Sequence, residues 1–159
     1  MLNLAAPLDG IAILDRVEET ELIARLIHAE WEHDNPGETM EMCRVDLIAG
    51  LSPNVEIPKT FVYRQNGVIV GWACIAENDL SSHTHLSPWL ANMIVLPEHR
   101  GQGIAHALIR HVMDYAATVA NKLYLYTDNL QAHYASLGWG VEDTLEVDGR
   151  PTAIMFWRP

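Results

Sequence analysis

The spacing of apolar positions along this chain switches period repeatedly, and each switch marks an element. Residues 11–14, Ile-Ala-Ile-Leu, form a short apolar run closed by Asp15 and Arg16, which predicts a strand. Leu22, Ile23, Leu26, Ile27, Glu30 and Trp31 then recur at helical spacing until Asn35-Pro36-Gly37 breaks the pattern. Met40, Cys43, Val45, Leu47 and Ile48 predict a second, less regular helix, stopped by Gly50 and Ser52-Pro53. Two β-rich runs follow at residues 60–64 and 68–76, with Asn66-Gly67 between them, a strong signal for a tight antiparallel hairpin. The polar stretch 77–87 reads as a loop, and residues 89–96 resume the sheet.

The longest helical stripe runs over residues 100–120 and carries Ile104, Leu108, Ile109, Val112, Met113 and Ala116. A strand at 122–127 follows it, so the helix reads as a crossover between parallel strands. Residues 130–137 predict a short helix ended by Gly138, and the runs 141–147 and 152–157 flank Asp148-Gly149 as a closing hairpin. The order is βααβββαβαββ. It predicts an α/β fold with a mixed, mostly antiparallel sheet of about seven strands flanked by four helices, in one domain over residues 1–159.

Composition narrows the possible partners. The 21 acidic and 10 basic side chains give a formal charge of −11, which opposes a phosphate backbone and attracts cations. Nucleic acid is therefore an unexpected partner and a cationic small-molecule or peptide amine an expected one, although surface acid also serves solubility. No basic segment leads into an apolar one near the N-terminus, and no run approaches the roughly 18 apolar residues of a membrane span, so a cytoplasmic protein without membrane contact is expected. The two cysteines, Cys43 and Cys74, lack CxxC spacing and read as reduced core thiols. His83 and His85 share a face if extended, but no third ligand accompanies them; they read as loop residues, and no metal is expected.

The chemistry concentrates at Ile94-Val-Leu-Pro-Glu-His-Arg-Gly-Gln-Gly-Ile-Ala105, where a strand feeds a turn with two glycines that opens into a helix. The first amides of a helix lack intrahelical partners and sit at the positive end of its dipole, and glycine lets an anion approach the backbone closely. Such a turn suits a diphosphate. On spacing alone, Gly101 and Gly103 equally fit a tight connection with no ligand.

The full string shifts the balance toward the diphosphate. Arg100-Gly-Gln-Gly-Ile-Ala105, preceded by Met93-Ile-Val-Leu-Pro97, resembles the Arg/Gln-x-x-Gly-x-Gly/Ala motif of the GNAT acetyltransferase family, and Leu123-Tyr-Leu-Tyr-Thr127 with Tyr134-Ala-Ser-Leu-Gly-Trp139 resembles the family's later strand and helix end. The resemblance implies acetyl-coenzyme A as co-substrate, lying in a V-shaped opening between the strands that end at Leu96 and Thr127. It implies that backbone groups of Met93, Ile94 and Val95 pair with the pantetheine arm, and that Arg100, Gly101, Gln102, Gly103, Ile104, Ala105 and His106 hold the pyrophosphate. It also places a β-bulge within residues 91–93. Asn129 is carried over as a pantetheine contact, although it stands five residues before Tyr134 rather than the family's more usual seven.

Acyl transfer from a thioester needs a donor for the departing sulfur and a base for the attacking ammonium, which at a pKa near 10.4 is neutral in only about one molecule in 2,500 at pH 7. By its place in the motif, Tyr134 is implied as the donor; the competing reading is a packing tyrosine. Strand 89–96 carries no carboxylate, so Glu77 and Asp79 are the candidate bases, each also readable as a solvated loop acid. A backbone amide near Ile94 can meet the developing oxyanion. Trp31 and Trp89 suit either an acceptor pocket or the core. Direct attack on the acetyl group is the expected reaction, with a catalytically silent coenzyme A-binding regulatory module, or a transferase for another acyl group, as alternatives. The resemblance also allows a homodimer.

Overall fold

The computed structural model describes residues 9–159, so most of the N-terminal segment on which the export reading rests lies outside the described residues. Eleven elements follow in the expected order: β1 (Gly10–Ile13), α1 (Val17–Trp31), α2 (Met40–Ala49), β2 (Lys59–Gln65), β3 (Val68–Ala76), β4 (Trp89–Val95), α3 (Ile104–Val119), β5 (Leu123–Thr127), α4 (Gln131–Ser136), β6 (Gly140–Val147) and β7 (Arg150–Trp157). The strands form a single seven-stranded sheet in the order β1-β2-β3-β4-β5-β7-β6, antiparallel throughout except where β4 meets β5. Both Asn-Gly and Asp-Gly turns behave as expected of tight hairpins. Asn66 and Gly67 have φ of 53° and 77°, and Asp148 and Gly149 of 50° and 76°, the left-handed pairs that match strand twist.

Strand alternation splits the apolar residues between two faces. One face packs Phe61, Ala73, Ile75, Leu123 and Leu125 against the α3 stripe of Ile104, Leu108, Ile109, Val112, Met113 and Ala116, together with Tyr134 from α4. Burial of each large side chain in that stripe contributes about 1.5–3 kcal/mol. The other face packs Val62, Trp72 and Cys74 against Ile23, Ala24 and Ile27 of α1 and Cys43 and Leu47 of α2. A smaller cluster of Leu86, Trp89, Tyr124 and Ile154, with Leu80 and Tyr126 at its margin, seats the loop between β3 and β4.

Polar ties fix the two N-terminal helices over the sheet. Arg64 on β2 donates through Nη2 to both carboxylate oxygens of Glu19 on α1, at 2.9 and 2.8 Å. The buried Lys59 ammonium donates to the carbonyls of Gly50 (3.0 Å) and Ser52 (2.8 Å), which satisfies the end of α2. The sequence predicts α2 as irregular, yet it is a regular ten-residue helix whose N-terminus is capped by Thr39 Oγ1 accepting from Met42 N–H at 3.2 Å. At the other large helix the difference runs the opposite way. Helical spacing extends back to Arg100, but α3 starts at Ile104 because Gly101 and Gly103 take φ of 75° and 80°.

Candidate active site

The site is built where the sheet opens. β4 and β5 are adjacent in register at one pair alone, Trp89 opposite Tyr124, reinforced by Tyr124 N–H donating to the Pro88 carbonyl at 2.9 Å. Beyond that pair β4 stays with β3 and β5 with β7, so the two strands leave backbone edges facing a gap. On β4 the register slips: Trp72 pairs with Ile94 and Cys74 with Ala91, so Asn92 and Met93 both oppose Ala73. Asn92 takes φ of 52°, and this bulge falls in the segment 91–93 where it is expected.

The glycine turn stands at the end of β4. Among the described residues, the amides from Gly101 to His106 donate to no backbone carbonyl, and the first helical bond is Ala107 N–H to the Gly103 carbonyl at 3.1 Å. A Cβ built on Gly101 or Gly103 would meet no atom within 4 Å, so the space beside the turn is open while the positive φ still favours glycine. Unpaired amides, a helix N-terminus and open approach fit an anionic diphosphate. An open cleft of ≈ 220 Å³ adjoins the turn and is lined by Met93, Ile94, Val95, Arg100, Ala105 and Glu30.

Within this group the side chains differ in what they can contribute. Arg100 folds back, its Nε donating to the Val95 carbonyl at 2.9 Å, so that carbonyl is already paired. Ile104 is buried in the core and offers a ligand only its amide, whereas Gln102 and His106 are exposed. Asn129 is exposed in the loop after β5, next to Leu130, whose N–H donates to Thr127 Oγ1 at 3.0 Å. Glu30 enters the sequence reading only as a member of the α1 helical stripe, and its place in the cleft lining follows from how α1 packs over the sheet.

Past the bulge, a second cavity of ≈ 40 Å³ lies between the helices α1 and α2 and the sheet. Asn92, Thr60 and Cys74 come from the sheet side, while Glu38, Cys43 and Asp46 come from the helices and the loop joining them. Asp79 acts on this region: its carboxyl is pushed up to about 7, first by burial and then by the Glu38 carboxylate. Its charge in turn contributes to raising the Cys74 thiol and the Tyr126 hydroxyl, although burial is the larger cause for both. Glu77, two residues earlier, is exposed. The two candidate bases thus have different surroundings, although both close the same strand.

Tyr134 is buried at 6% exposure on α4, with Trp139 edge-on to its ring at 5.9 Å between centroids. Its carbonyl accepts from both Leu137 N–H (3.0 Å) and Trp139 N–H (3.1 Å), so the turn between α4 and β6 fixes its backbone. Burial raises the hydroxyl above its ordinary value, which keeps it protonated at neutral pH. The thiols are also protonated: burial pushes Cys43 up to about 11 and Cys74 up to about 12. Trp89 belongs to the core at 0% exposure, its indole donating to the Leu86 carbonyl at 2.7 Å, and Trp31, the last residue of α1, packs partly buried against the core cluster under α1 and α2. His83 has both ring nitrogens engaged, Nδ1 with Ser82 Oγ at 2.8 Å and Nε2 with Asp143 at 3.2 Å. Among the described residues no group of three or more His, Cys, Asp or Glu could hold a metal ion, and no helix is long and apolar enough to cross a membrane.

Comparison with known proteins gives this geometry its context. The fold is similar to that of a protein from Salmonella typhimurium described as yncA, a putative acetyltransferase, solved with its cofactor acetyl-CoA; identity is 16%, the TM-score 0.71, and 93% of this chain and 92% of that one are covered. It is similar to a ribosomal-protein-alanine N-acetyltransferase from Brucella melitensis at 17% identity, with a TM-score of 0.70 and coverage of 94% and 99%. It also resembles the spermidine/spermine N-acetyltransferase SpeG from Vibrio cholerae, at 20% identity, a TM-score of 0.66 and coverage of 93% of each chain. No curated protein matches the sequence. The model of the acetyltransferase (GNAT) family matches residues 20–139, which include the bulged strand, the glycine turn and the Tyr134 helix, and the chain belongs to that family.

Proposed function

We propose that this acetyltransferase moves the acetyl group of acetyl-coenzyme A to a primary amine by direct attack, with the amine entering from the acidic side of the bulge. The observation that carries this reading is the run of unpaired amides from Gly101 to His106 beside strands that part after a single register pair. Those amides would hold the pyrophosphate, and the free edge of β4 around Met93 and Ile94 would pair with the pantetheine arm as an added strand pairs with a sheet. The coenzyme supplies an acetyl thioester. The remaining work falls to the residues of the chain.

Asp79 is the favoured base, because a carboxyl at about 7 is half ionised at neutral pH and takes a proton more readily than an ordinary aspartate does. Tyr134 is the donor for the departing sulfur, since it is protonated and rigidly held. The amides at the bulge, which lie between the two cavities, suit the charge that develops on the acetyl oxygen. A thiol relay does not suit Cys43 or Cys74, as thiols at about 11 and about 12 hold almost no thiolate at pH 7. Glu38, Asp46 and Asp79 favour a cationic acceptor, as in the spermidine/spermine enzyme of like fold, over a neutral one.

The test is a free-thiol release assay with acetyl-coenzyme A, and in parallel with a longer acyl-coenzyme A, against polyamines, amino acids and peptide N-termini, run beside calorimetric titration of the coenzyme. Release with a cationic amine supports the reading. Coenzyme binding without release from any amine points to the silent module, release only with a longer acyl-coenzyme A points to a different donor, and absence of binding overturns the reading.

A further inference from the structure

The glycine turn has few contacts of its own. Two left-handed glycines with open space at both Cβ positions, followed by amides that donate to no backbone carbonyl, leave it held by Arg100, whose N–H donates to the Pro97 carbonyl at 3.3 Å and whose Nε donates to the Val95 carbonyl at 2.9 Å, and by the first bond of α3. Glycine-rich backbone loses more conformational freedom on ordering than any other, so a ligand that fixes a loose turn binds more weakly than one that meets a fixed turn. Another part of the fold reaches this turn. Gln65, the last residue of β2, sits beside the tight Asn66-Gly67 hairpin, and its side chain spans the turn from both sides. Its Oε1 lies 2.9 Å from Nδ1 of His99, just before the glycines, and its Nε2 donates at 3.0 Å to Oε1 of Gln102, between them.

We infer that Gln65 is a positioning residue for coenzyme binding, a brace that ties His99 and Gln102 to the rigid β2–β3 hairpin and so pre-forms the phosphate turn. A primary amide is suited to this, as it accepts through oxygen and donates through nitrogen at one side-chain end. With the His99 proton on Nδ1, the direction of both bonds is set: His99 donates to Gln65, and Gln65 donates to Gln102. Gln65 itself stands outside the cleft lining, so its effect passes through the turn rather than through contact with the ligand. The inference rests on the coenzyme A reading of the turn.

The experiment is a double-mutant cycle on coenzyme A affinity, measured by calorimetry, with Gln65→Leu, Gln102→Leu and the pair. Each lost neutral hydrogen bond should weaken binding roughly three- to tenfold, and in Gln65→Leu, which leaves every residue of the turn itself in place, kcat at saturating coenzyme should stay within about twofold. The double variant should bind no worse than the weaker single one, because the two residues act as a unit. His99→Leu, which cuts the other end of the brace, should reproduce the loss if Gln65→Leu does not fold. Unchanged affinity in Gln65→Leu, or losses that multiply in the double variant, would overturn the brace alone. Failure of the unsubstituted protein to bind coenzyme A would overturn the reading of the turn and the brace with it.

Discussion

Trp89 and Tyr124 stand opposite each other at the one register where β4 and β5 run side by side, and their rings pack with centroids 5.6 Å apart in a core cluster of their own. This contact is the hinge point of the V. At this pair the two strands are joined, and beyond it they part, because the bulge at Asn92 and Met93 keeps β4 on β3 while β5 follows β7. The splay follows from packing and register. Four substitutions and one labelling experiment test what stands around it.

Asp79→Asn separates chemistry from stability. Loss of a general base should lower kcat/KM by roughly 10²- to 10⁴-fold. In the unsubstituted protein a limb near pH 7 should appear in the rate profile, with activity rising as Asp79 ionises. The stability sign is opposite. The folded carboxyl titrates near 7 against about 3.9 unfolded, so between those values the folded state holds more protons and its stability falls as pH rises. Melting curves should show the asparagine variant gaining on the native protein from pH 4 to pH 7, with the gap constant above that.

Glu38→Gln tests the second cause of that shift. Removing a carboxylate that raises Asp79 should move the acidic limb of the kcat/KM profile to lower pH while leaving a limb in place. A limb that stays at the same pH would show that burial alone sets it.

Tyr134→Phe keeps the ring against Trp139 and removes only the hydroxyl. Turnover should fall by about 10²-fold or more, with coenzyme affinity by calorimetry nearly intact. Unchanged turnover would make Tyr134 a packing residue of α4.

Gly103→Ala tests the turn. A Cβ there meets nothing within 4 Å, so the cost is backbone strain at φ of 80° rather than a clash, on the order of 1 kcal/mol. The melting temperature should drop by roughly 2–4 °C and coenzyme affinity should weaken, as the alanine turn relaxes away from the conformation that presents its amides.

The thiols give a check independent of catalysis. At pH 8 iodoacetamide should leave Cys43 and Cys74 unmodified in the folded protein, since both are buried and titrate well above that pH, and should label both after unfolding. Mass spectrometry of the intact chain reads the outcome.

Much of this arrangement is determined by the sequence alone. Period changes in the apolar pattern give the order of all eleven elements, and the Asn-Gly and Asp-Gly pairs give the hairpins, because both signals are local: a helix face repeats every 3.6 residues, a strand face every two, and left-handed φ selects few residue types. The glycine turn is legible for the same reason. Tertiary structure decides what locality cannot reach. Thr39 and Lys59 regularise a helix whose apolar pattern is weak, and a register slip of one residue at Asn92 follows from how β4 settles between β3 and the parting β5. Asp79 and Glu77 carry the same titrating group in different surroundings, since burial and the approach of Glu38 from a distant loop raise one carboxyl while the other faces solvent. Gln65 and Gln102, 37 positions apart, meet only because the hairpin end is folded against the turn. A single sequence records residue types and spacings, whereas dielectric surroundings, register and side-chain contacts between remote segments exist only once the chain has packed.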